Sequence, residues 1–435
     1  MDKNAFKRRR AEFMGLMGDG VAIFPTAPVR VRNSDVDYAY RADSDFYYLT
    51  HFPEPDAVAV LIPGREQGEF LLFCRERDPE KEQWQGLRAG PEGAVAQYGA
   101  DDAFPIDDIG DILPGLLENR RRVYYSMGRH DEFDGYVLDW VNEVRGKARA
   151  GITAPGEFVD PNHLLHDMRL TKRPEEIALM RRAALVGGQG HLRAIRACAP
   201  GLYEYELEAE LLYAFRKGGS EYPAYPPIVA GGANACILHY IENKAALKDG
   251  TLVLIDAGCE IDGYASDITR TFPVGPRFSA AQRALYDLVL AAHDAALAEI
   301  GPGREWPKAH DAAVRTLTQG LVDLKLLKGT VDGLIENGAY KRFYMHRTGH
   351  WLGLDVHDVG DYRVAGLPRV LEPGMVTTVE PGLYIDAGDD VPEAFRNTGI
   401  RIEDDVLVTK TGYEILSDSV PRRADEIEAL RADPL

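Results

Sequence analysis

Thr251-Leu-Val-Leu-Ile-Asp256 is an apolar run that ends on an acid, and Asp262-Gly263 follows shortly after it. Asp-Gly is among the strongest local signals for a tight hairpin turn, because both central residues need positive φ. With Asp262 and Gly263 at the turn centre, Ile261 pairs with Tyr264, and counting outward sets Asp256 opposite Thr269. Asp267 lies two residues from Thr269, so it shares a face with Asp256 and sits diagonal to it. A β-bulge between the strands would shift this register.

Two aspartates on a strand are ordinarily solvated acids. Here Leu252, Leu254 and Ile255 flank the first one, which points to a buried strand. Buried carboxylates that face each other repel, and one protonates unless a cation lies between them. The pair is therefore a candidate metal site.

Three further segments add donors. Met345-His346-Arg347-Thr348-Gly349-His350-Trp351-Leu352-Gly353-Leu354-Asp355-Val356-His357 places three of the chain's 11 histidines close together among glycines that allow close backbone approach. Met375-Val-Thr-Thr-Val-Glu380-Pro381 ends a β-branched run on a glutamate, and Gly399-Ile400-Arg401-Ile402-Glu403 embeds another among apolar residues. Arg401 and Glu403 share a strand face, so an Arg401–Glu403 ion pair is the plain structural expectation. Asp256, Asp267, His350, Glu380 and Glu403 together form a hard, oxygen-rich set suited to Mn²⁺, Mg²⁺ or Co²⁺ rather than to a structural zinc. Four carboxylates and one imidazole exceed what one ion needs and suit two ions roughly 3.5–4 Å apart.

The 435 residues are too many for one ordinary core and point to two domains. The first part mixes short strands and helices: Val58–Ile62 and Phe70–Phe73 read as a hairpin, Arg122–Tyr125 as a strand, and 106–117 and 133–144 as helices. An α/β domain with a mixed sheet is expected over 1–170. The texture changes near 168–171, where Thr171, Pro174, Glu175 and Glu176 form a helix start with Thr171 as the cap. From 171 to 435 helices (205–217, 280–300 and 309–326) and strands (251–256 and 265–272) come in blocks. That is the pattern of an α+β domain, with a hint of an internal pseudo-repeat.

Net charge is 50 − 69 = −19, which disfavours nucleic acid and anionic membranes as partners. The four cysteines form no C-x-x-C pair, so a reducing compartment is expected. The basic N-terminal segment (Lys3, Lys7, Arg8, Arg9, Arg10) is not followed by an apolar run, and no stretch reaches the roughly 18 apolar residues of a membrane helix. Cytoplasmic residence is the expectation.

The order Asp, Asp, His, Glu, Glu on these segments resembles the pita-bread metallopeptidases, which include methionine aminopeptidase, prolidase and aminopeptidase P. The resemblance is strongest to the aminopeptidase P branch, the Xaa-Pro aminopeptidases. It rests on Leu254-Ile-Asp-Ala-Gly-Cys-Glu260, Asp267-Ile-Thr-Arg-Thr-Phe-Pro273, His350-Trp-Leu-Gly-Leu-Asp-Val-His-Asp-Val-Gly360, Val379-Glu-Pro-Gly-Leu-Tyr384 and Ile400-Arg-Ile-Glu-Asp-Asp405. Cys236-Ile-Leu-His-Tyr240 adds to it, and Arg32-Asn-Ser-Asp-Val-Asp-Tyr38 and Ser44-Asp-Phe-Tyr-Tyr48 favour aminopeptidase P over prolidase.

The resemblance implies a pita-bread catalytic domain over 171–435 that cleaves the bond between an N-terminal residue and a following proline, using a hydroxide held between two metal ions. Asp256 would chelate one ion, Asp267 and Glu403 would bridge, and His350 and Glu380 would complete the second. Two Mn²⁺ are implied, with Co²⁺, Mg²⁺ or Zn²⁺ as substitutes. Glu380 would also move the proton. His239 and His357 would contact substrate and the tetrahedral intermediate, and His346 would support the proline pocket. Tyr225 and Tyr384 would lie near substrate, and Arg401 would fix Glu403. Trp84 matches a tryptophan that reaches a neighbouring subunit's site, which implies a homodimer or homotetramer.

Three departures stand out: Arg347 where the family often has glycine, Gly349 where close relatives often have serine, and a slightly longer 361–368 loop. All three bear on which peptides are admitted. Prolidase, which cleaves only dipeptides, is the alternative on the same fold. Creatinase, which lacks metal, and a non-catalytic binding module both fit poorly with a complete ligand set.

Overall fold

The computed structural model describes residues 3–433, and the chain divides into two units, Met1–Met168 and Arg169–Leu435. Residues 1–2 and 434–435 of the expected domain ranges lie outside the described residues.

The first unit is built on a six-stranded sheet in the order Asp102–Pro105, Phe70–Cys74, Val58–Leu61, Val21–Pro25, Arg122–Tyr124, Glu157–Val159. Val58–Leu61 and Phe70–Cys74 are the antiparallel hairpin read from the sequence, with Val58 opposite Phe73. Val21–Pro25 runs antiparallel to Val58–Leu61 and parallel to Arg122–Tyr124, so the sheet is mixed. The helices Ile109–Leu117 and Asp131–Gly146 bury Leu113, Leu117, Val137, Trp140 and Val141 against it.

The basic N-terminal segment is part of this unit. Lys3–Met17 is a helix whose Phe6, Phe13 and Met17 are buried. The Arg9 guanidinium lies over the Tyr48 ring at 4.1 Å, and Arg10 donates to the Leu49 carbonyl at 2.8 Å. Arginine stems pack well against apolar surface when the head finds an aromatic face or a carbonyl.

In the second unit the long helix Pro174–Ala197 starts with Pro174 in its first turn, as the sequence predicts. Its cap is Arg173 rather than Thr171. Glu176 reaches back to the Arg173 N–H at 3.0 Å, and Thr171 is drawn into a β-bridge with Met375. Glu204–Lys217 packs beside it.

A three-stranded antiparallel sheet follows, with Leu252–Asp256 in the centre, Thr269–Pro273 on one side and Ile228–Gly231 on the other. The central strand is buried along its whole length. Asp262 (φ 51°) and Gly263 (φ 83°) form the turn, Ile261 pairs with Tyr264, and Asp256 pairs with Thr269.

The register is the one counted from the sequence, but the return strand is not continuous. The expected strand over 265–272 splits into Tyr264–Ala265 and Thr269–Pro273. At the break the two segments cross closely: a Cβ on Gly258 would lie 1.7 Å from the Ser266 carbonyl oxygen. The Asp267 N–H turns to the Asp405 carboxylate, at 3.1 and 3.2 Å, instead of to a strand neighbour.

The helices Ala280–Leu297 and Pro307–Asp323 open a second half of similar plan, each ending about three residues before the sequence boundary. Val376–Val379 pairs with Asp404–Val408, and Gly382–Ile385 with Thr398–Arg401, all antiparallel. A helix pair followed by antiparallel strands thus occurs twice. The two sets of strands meet where Thr269 bridges Glu403, the Glu403 N–H donating to the Thr269 carbonyl at 3.1 Å. Among the described residues no helix is long and apolar enough to cross a membrane.

Candidate metal centre

The seam between Thr269 and Glu403 brings the carboxylates of both halves together. Asp267, His350 and Glu403 each offer a donor atom, and these atoms lie within 4.8 Å of one another. Asp256 is tied to Asp267 by Tyr225, whose hydroxyl is 2.6 Å from Asp256 Oδ1 and 2.5 Å from Asp267 Oδ1. Tyr225, expected near substrate, thus holds the same-face aspartate pair together.

His350 is aimed by its own backbone and ring. Its N–H meets Thr378 Oγ1 at 3.1 Å, and Nδ1 lies 3.0 Å from the Trp351 carbonyl. A carbonyl only accepts, so Nδ1 carries the proton in that bond, and Nε2 is left to face the acids. Nε2 lies 3.4 Å from Asp267 and 3.9 Å from Glu380. Glu380 is set by its N–H, which donates to the Thr348 carbonyl at 2.8 Å.

Arg401 departs from expectation. It forms no direct pair with Glu403. Its Nη2 donates to Asp256 at 2.6 Å, Nη1 to the Tyr384 hydroxyl at 2.8 Å, and Nε to Thr269 Oγ1 at 3.2 Å. The Thr269 hydroxyl then donates to Glu403 at 2.6 Å. The strand containing Arg401 pairs with Gly382–Ile385 and ends before Glu403, so Arg401 and Glu403 are not successive residues on one strand face.

The electrostatics are those of crowded acids. Burial raises Glu403 well above the usual carboxylate range, and the charges of Asp267, Glu380 and Asp256 add to it. Burial raises Glu380 to about 7, with His350 and Arg401 opposing and Asp267 and Asp256 reinforcing. Asp256 is raised by burial too, against the pull of Arg401. Burial alone would raise Asp267, yet the hydrogen bond and charge of His350 bring it below the usual range. Burial alone would lower His350, and Asp267 and Glu380 hold it up at about 9. Repulsion of this kind is what a divalent cation relieves. Four carboxylates and one imidazole whose Nε2 faces them, and which gives up its proton to a metal, fit a centre of two hard ions.

These donors line a cavity of about 670 Å³, within the roughly 300–1,000 Å³ of small-molecule sites. His239, His346 and His357 also line it. His357 stands edge-on to His350 with ring centroids 4.3 Å apart. His346 is turned toward the protein, with Nε2 2.8 Å from the Tyr384 hydroxyl and Nδ1 2.7 Å from the Arg347 carbonyl. Tyr384 is buried, and its hydroxyl is shared by His346 and Arg401. Trp84 belongs to the other unit, on the helix Pro79–Gln85, and is 87% exposed.

Several cavity residues escaped the sequence reading. Trp306 and Tyr362 form an aromatic wall, ring centroids 4.8 Å apart, with Trp351 packed against both. His310 also lines the cavity and meets Thr348 Oγ1 at 2.8 Å. Trp306 and His310 come from around the start of Pro307–Asp323, and nothing in sequence spacing links them to 346–350. Thr269 was within reach, because the counted register sets it opposite Asp256.

Comparison with known proteins adds an independent line. The sequence profile of Metallopeptidase family M24 matches residues 178–410, and that of the aminopeptidase P N-terminal domain matches residues 6–124. The chain is 45% identical over 432 residues to Xaa-Pro aminopeptidase of Escherichia coli (strain K12), covering 99% of this chain and 98% of that one. Among solved structures it is similar to the aminopeptidase PepP of Pseudomonas aeruginosa, with a TM-score of 0.98 at 60% identity, covering 100% of this chain and 98% of that one. It is also similar to proline aminopeptidase P II from Yersinia pestis, with a TM-score of 0.96 at 46% identity, covering 99% and 100% respectively.

Proposed function

The chain belongs to metallopeptidase family M24, and from that membership we propose that it is a metal-dependent Xaa-Pro aminopeptidase, which removes the N-terminal residue from peptides with proline second. The observation that carries this reading is the cluster of Asp267, His350 and Glu403 donors, its two acids buried and its histidine half-buried, on the wall of a peptide-sized cavity. We assign residues 1–170 to an aminopeptidase P-type N-terminal domain and 171–435 to the pita-bread catalytic domain.

Asp256, Asp267, His350, Glu380 and Glu403 would hold two ions, Mn²⁺ in the first place, with Co²⁺, Mg²⁺ or Zn²⁺ as substitutes. Bound there, the ions would acidify a water and polarise the scissile carbonyl.

The remaining roles fall to side chains. Glu380 accepts a proton from the attacking water and passes it to the prolyl nitrogen as the C–N bond breaks. That transfer matters because an amide to proline has no N–H, and its nitrogen leaves only when protonated. His239 and His357, exposed at the cavity wall, donate to the substrate carbonyl oxygen as negative charge develops on it. His346, braced by Tyr384, supports the side that receives the proline ring. Arg401 holds Asp256 and Thr269 in place, and through Thr269 it orients Glu403. Tyr225 does the same for the aspartate pair.

The exposed indole of Trp84 supports contact with another subunit, in a homodimer or homotetramer. Four free cysteines, three of them buried, support a cytoplasmic location.

The deciding experiment strips metal with a chelator, restores Mn²⁺, and compares an Xaa-Pro-Xaa tripeptide with an Xaa-Pro dipeptide. Tripeptide turnover that depends on added metal is expected. Brisk dipeptide cleavage with an inert tripeptide would instead make the chain a prolidase.

A further inference from the structure

The cavity is polarised. Its floor carries the carboxylates, and its exposed rim carries two arginines, Arg347 and Arg363. Arg347 immediately follows His346, and its side chain makes no hydrogen bond or ion pair among the described residues. In a chain with 69 acidic and 50 basic residues, a guanidinium that finds no carboxylate is conspicuous. Its charge is felt inside the cavity: burial lowers His310, and Arg347 is the next contributor.

Arg363 opens the short hairpin Arg363–Val364/Leu367–Pro368. Ala365 and Gly366 turn that hairpin with φ of 50° and 81°, and Arg363 donates one Nη to the Gly366 carbonyl, its other donors meeting no side-chain acid among the described residues. The third arginine lining the cavity, Arg401, is committed to Asp256.

We propose that Arg347, with Arg363, forms a carboxylate-binding subsite that selects peptides bearing a negative charge just after the proline. The inference rests on the peptidase reading above. A short peptide carries an ammonium at one end and a carboxylate at the other, and the cavity presents the complementary signs in that order. The amine end belongs with the acids of the floor, so the chain beyond the proline leads outward to the rim. A planar guanidinium binds a carboxylate through two parallel N–H donors, which a lysine cannot reproduce. The carboxylate can be the C-terminus of a tripeptide or an acidic side chain in that position.

The test compares three substrates, Ala-Pro-Ala, Ala-Pro-Ala-amide and Ala-Pro-Glu-amide, on Mn²⁺-loaded wild type, R347A and R347K. Wild type is expected to prefer the free acid to the neutral amide. R347A should lower kcat/KM on the free acid about tenfold. That loss should lie mostly in KM, because the anchor holds ground state and transition state alike. R347A should leave the neutral amide nearly unchanged, R347K should recover part of the loss, and added salt should shrink the preference.

A preference for Ala-Pro-Glu-amide over Ala-Pro-Ala-amide assigns the subsite to side chains as well. No such preference confines it to the C-terminus. Equal wild-type rates on all three, or an equal loss on all three in R347A, would overturn the subsite while leaving the peptidase intact. Failure to cleave any of them would remove the peptidase reading itself.

Discussion

Arg401 is ion-paired to Asp256, Nη2 to Oδ2 at 2.6 Å, from a strand 145 residues further along the chain. Both side chains are largely buried, at 4% and 12% exposure. Removing one partner of a buried pair strands the other, at a cost of roughly 3–5 kcal/mol. R401A should therefore destabilise the metal-free protein by about that amount, read from urea unfolding. R401K should recover little, because one ammonium cannot reach Asp256, Tyr384 and Thr269 together. Full stability in R401K would show that charge alone, and not the three-way fork, is what matters.

Asp267 is the point where the two halves of the site meet, in contact with Tyr225, His350 and the Glu403 cluster. D267A should abolish hydrolysis and reduce bound metal below two ions per chain, measured by elemental analysis. Two ions retained in D267A would refute a bridging role.

His357 lines the cavity edge-on to His350 and is not among the clustered donors. H357A should lower kcat by about 10²-fold, the scale of one lost transition-state donor, with metal content unchanged. If metal leaves with the imidazole, His357 is a ligand or a support and not a donor to substrate.

Gly258 allows the chain crossing that puts Asp256 and Asp267 on one face. In G258A the new methyl would sit 1.7 Å from the Ser266 carbonyl oxygen, so the backbone must move. Overpacking typically costs about 1–3 kcal/mol, and overlap with backbone should exceed that. A lowered Tm together with weakened metal binding is expected. A Tm unchanged within a degree would mean that the crossing is more pliant than it looks.

Burial lowers His310 to about 4, with the charges of Arg347 and Lys341 contributing. In the unfolded chain a histidine binds its proton near pH 6.5 (about the model-peptide value). Between about pH 6.5 and 4 the unfolded state therefore holds more protons, and stability falls as pH drops through that window. Above it the contribution is complete. Metal-free wild type should lose more stability than H310Q between pH 7.5 and pH 5. Parallel losses in the two proteins would assign the pH dependence to other groups.

Much of the site is legible in the sequence because short-range rules govern it. The Asp262-Gly263 turn sets the register that places Asp256 opposite Thr269, and the crossing at Gly258 keeps Asp267 on the same side as Asp256 where the return strand breaks. The strand ends at Glu380 and near Glu403 follow from β-branched and apolar runs. Thr171 does not serve as the cap that its local pattern predicts, because it is drawn into a long-range bridge to Met375 and tertiary pairing overrides local capping preference.

Local patterns identify which residues are donors, because apolar context and turn chemistry act over a few residues. The partners of those donors are set by long-range packing. Arg401 pairs with Asp256 and not Glu403, Tyr225 clasps two acids, and His310 and Trp306 arrive from a helix with no sequence cue. Those choices depend on how two sets of strands meet at Thr269 and Glu403, a contact between residues 134 apart that no local pattern encodes.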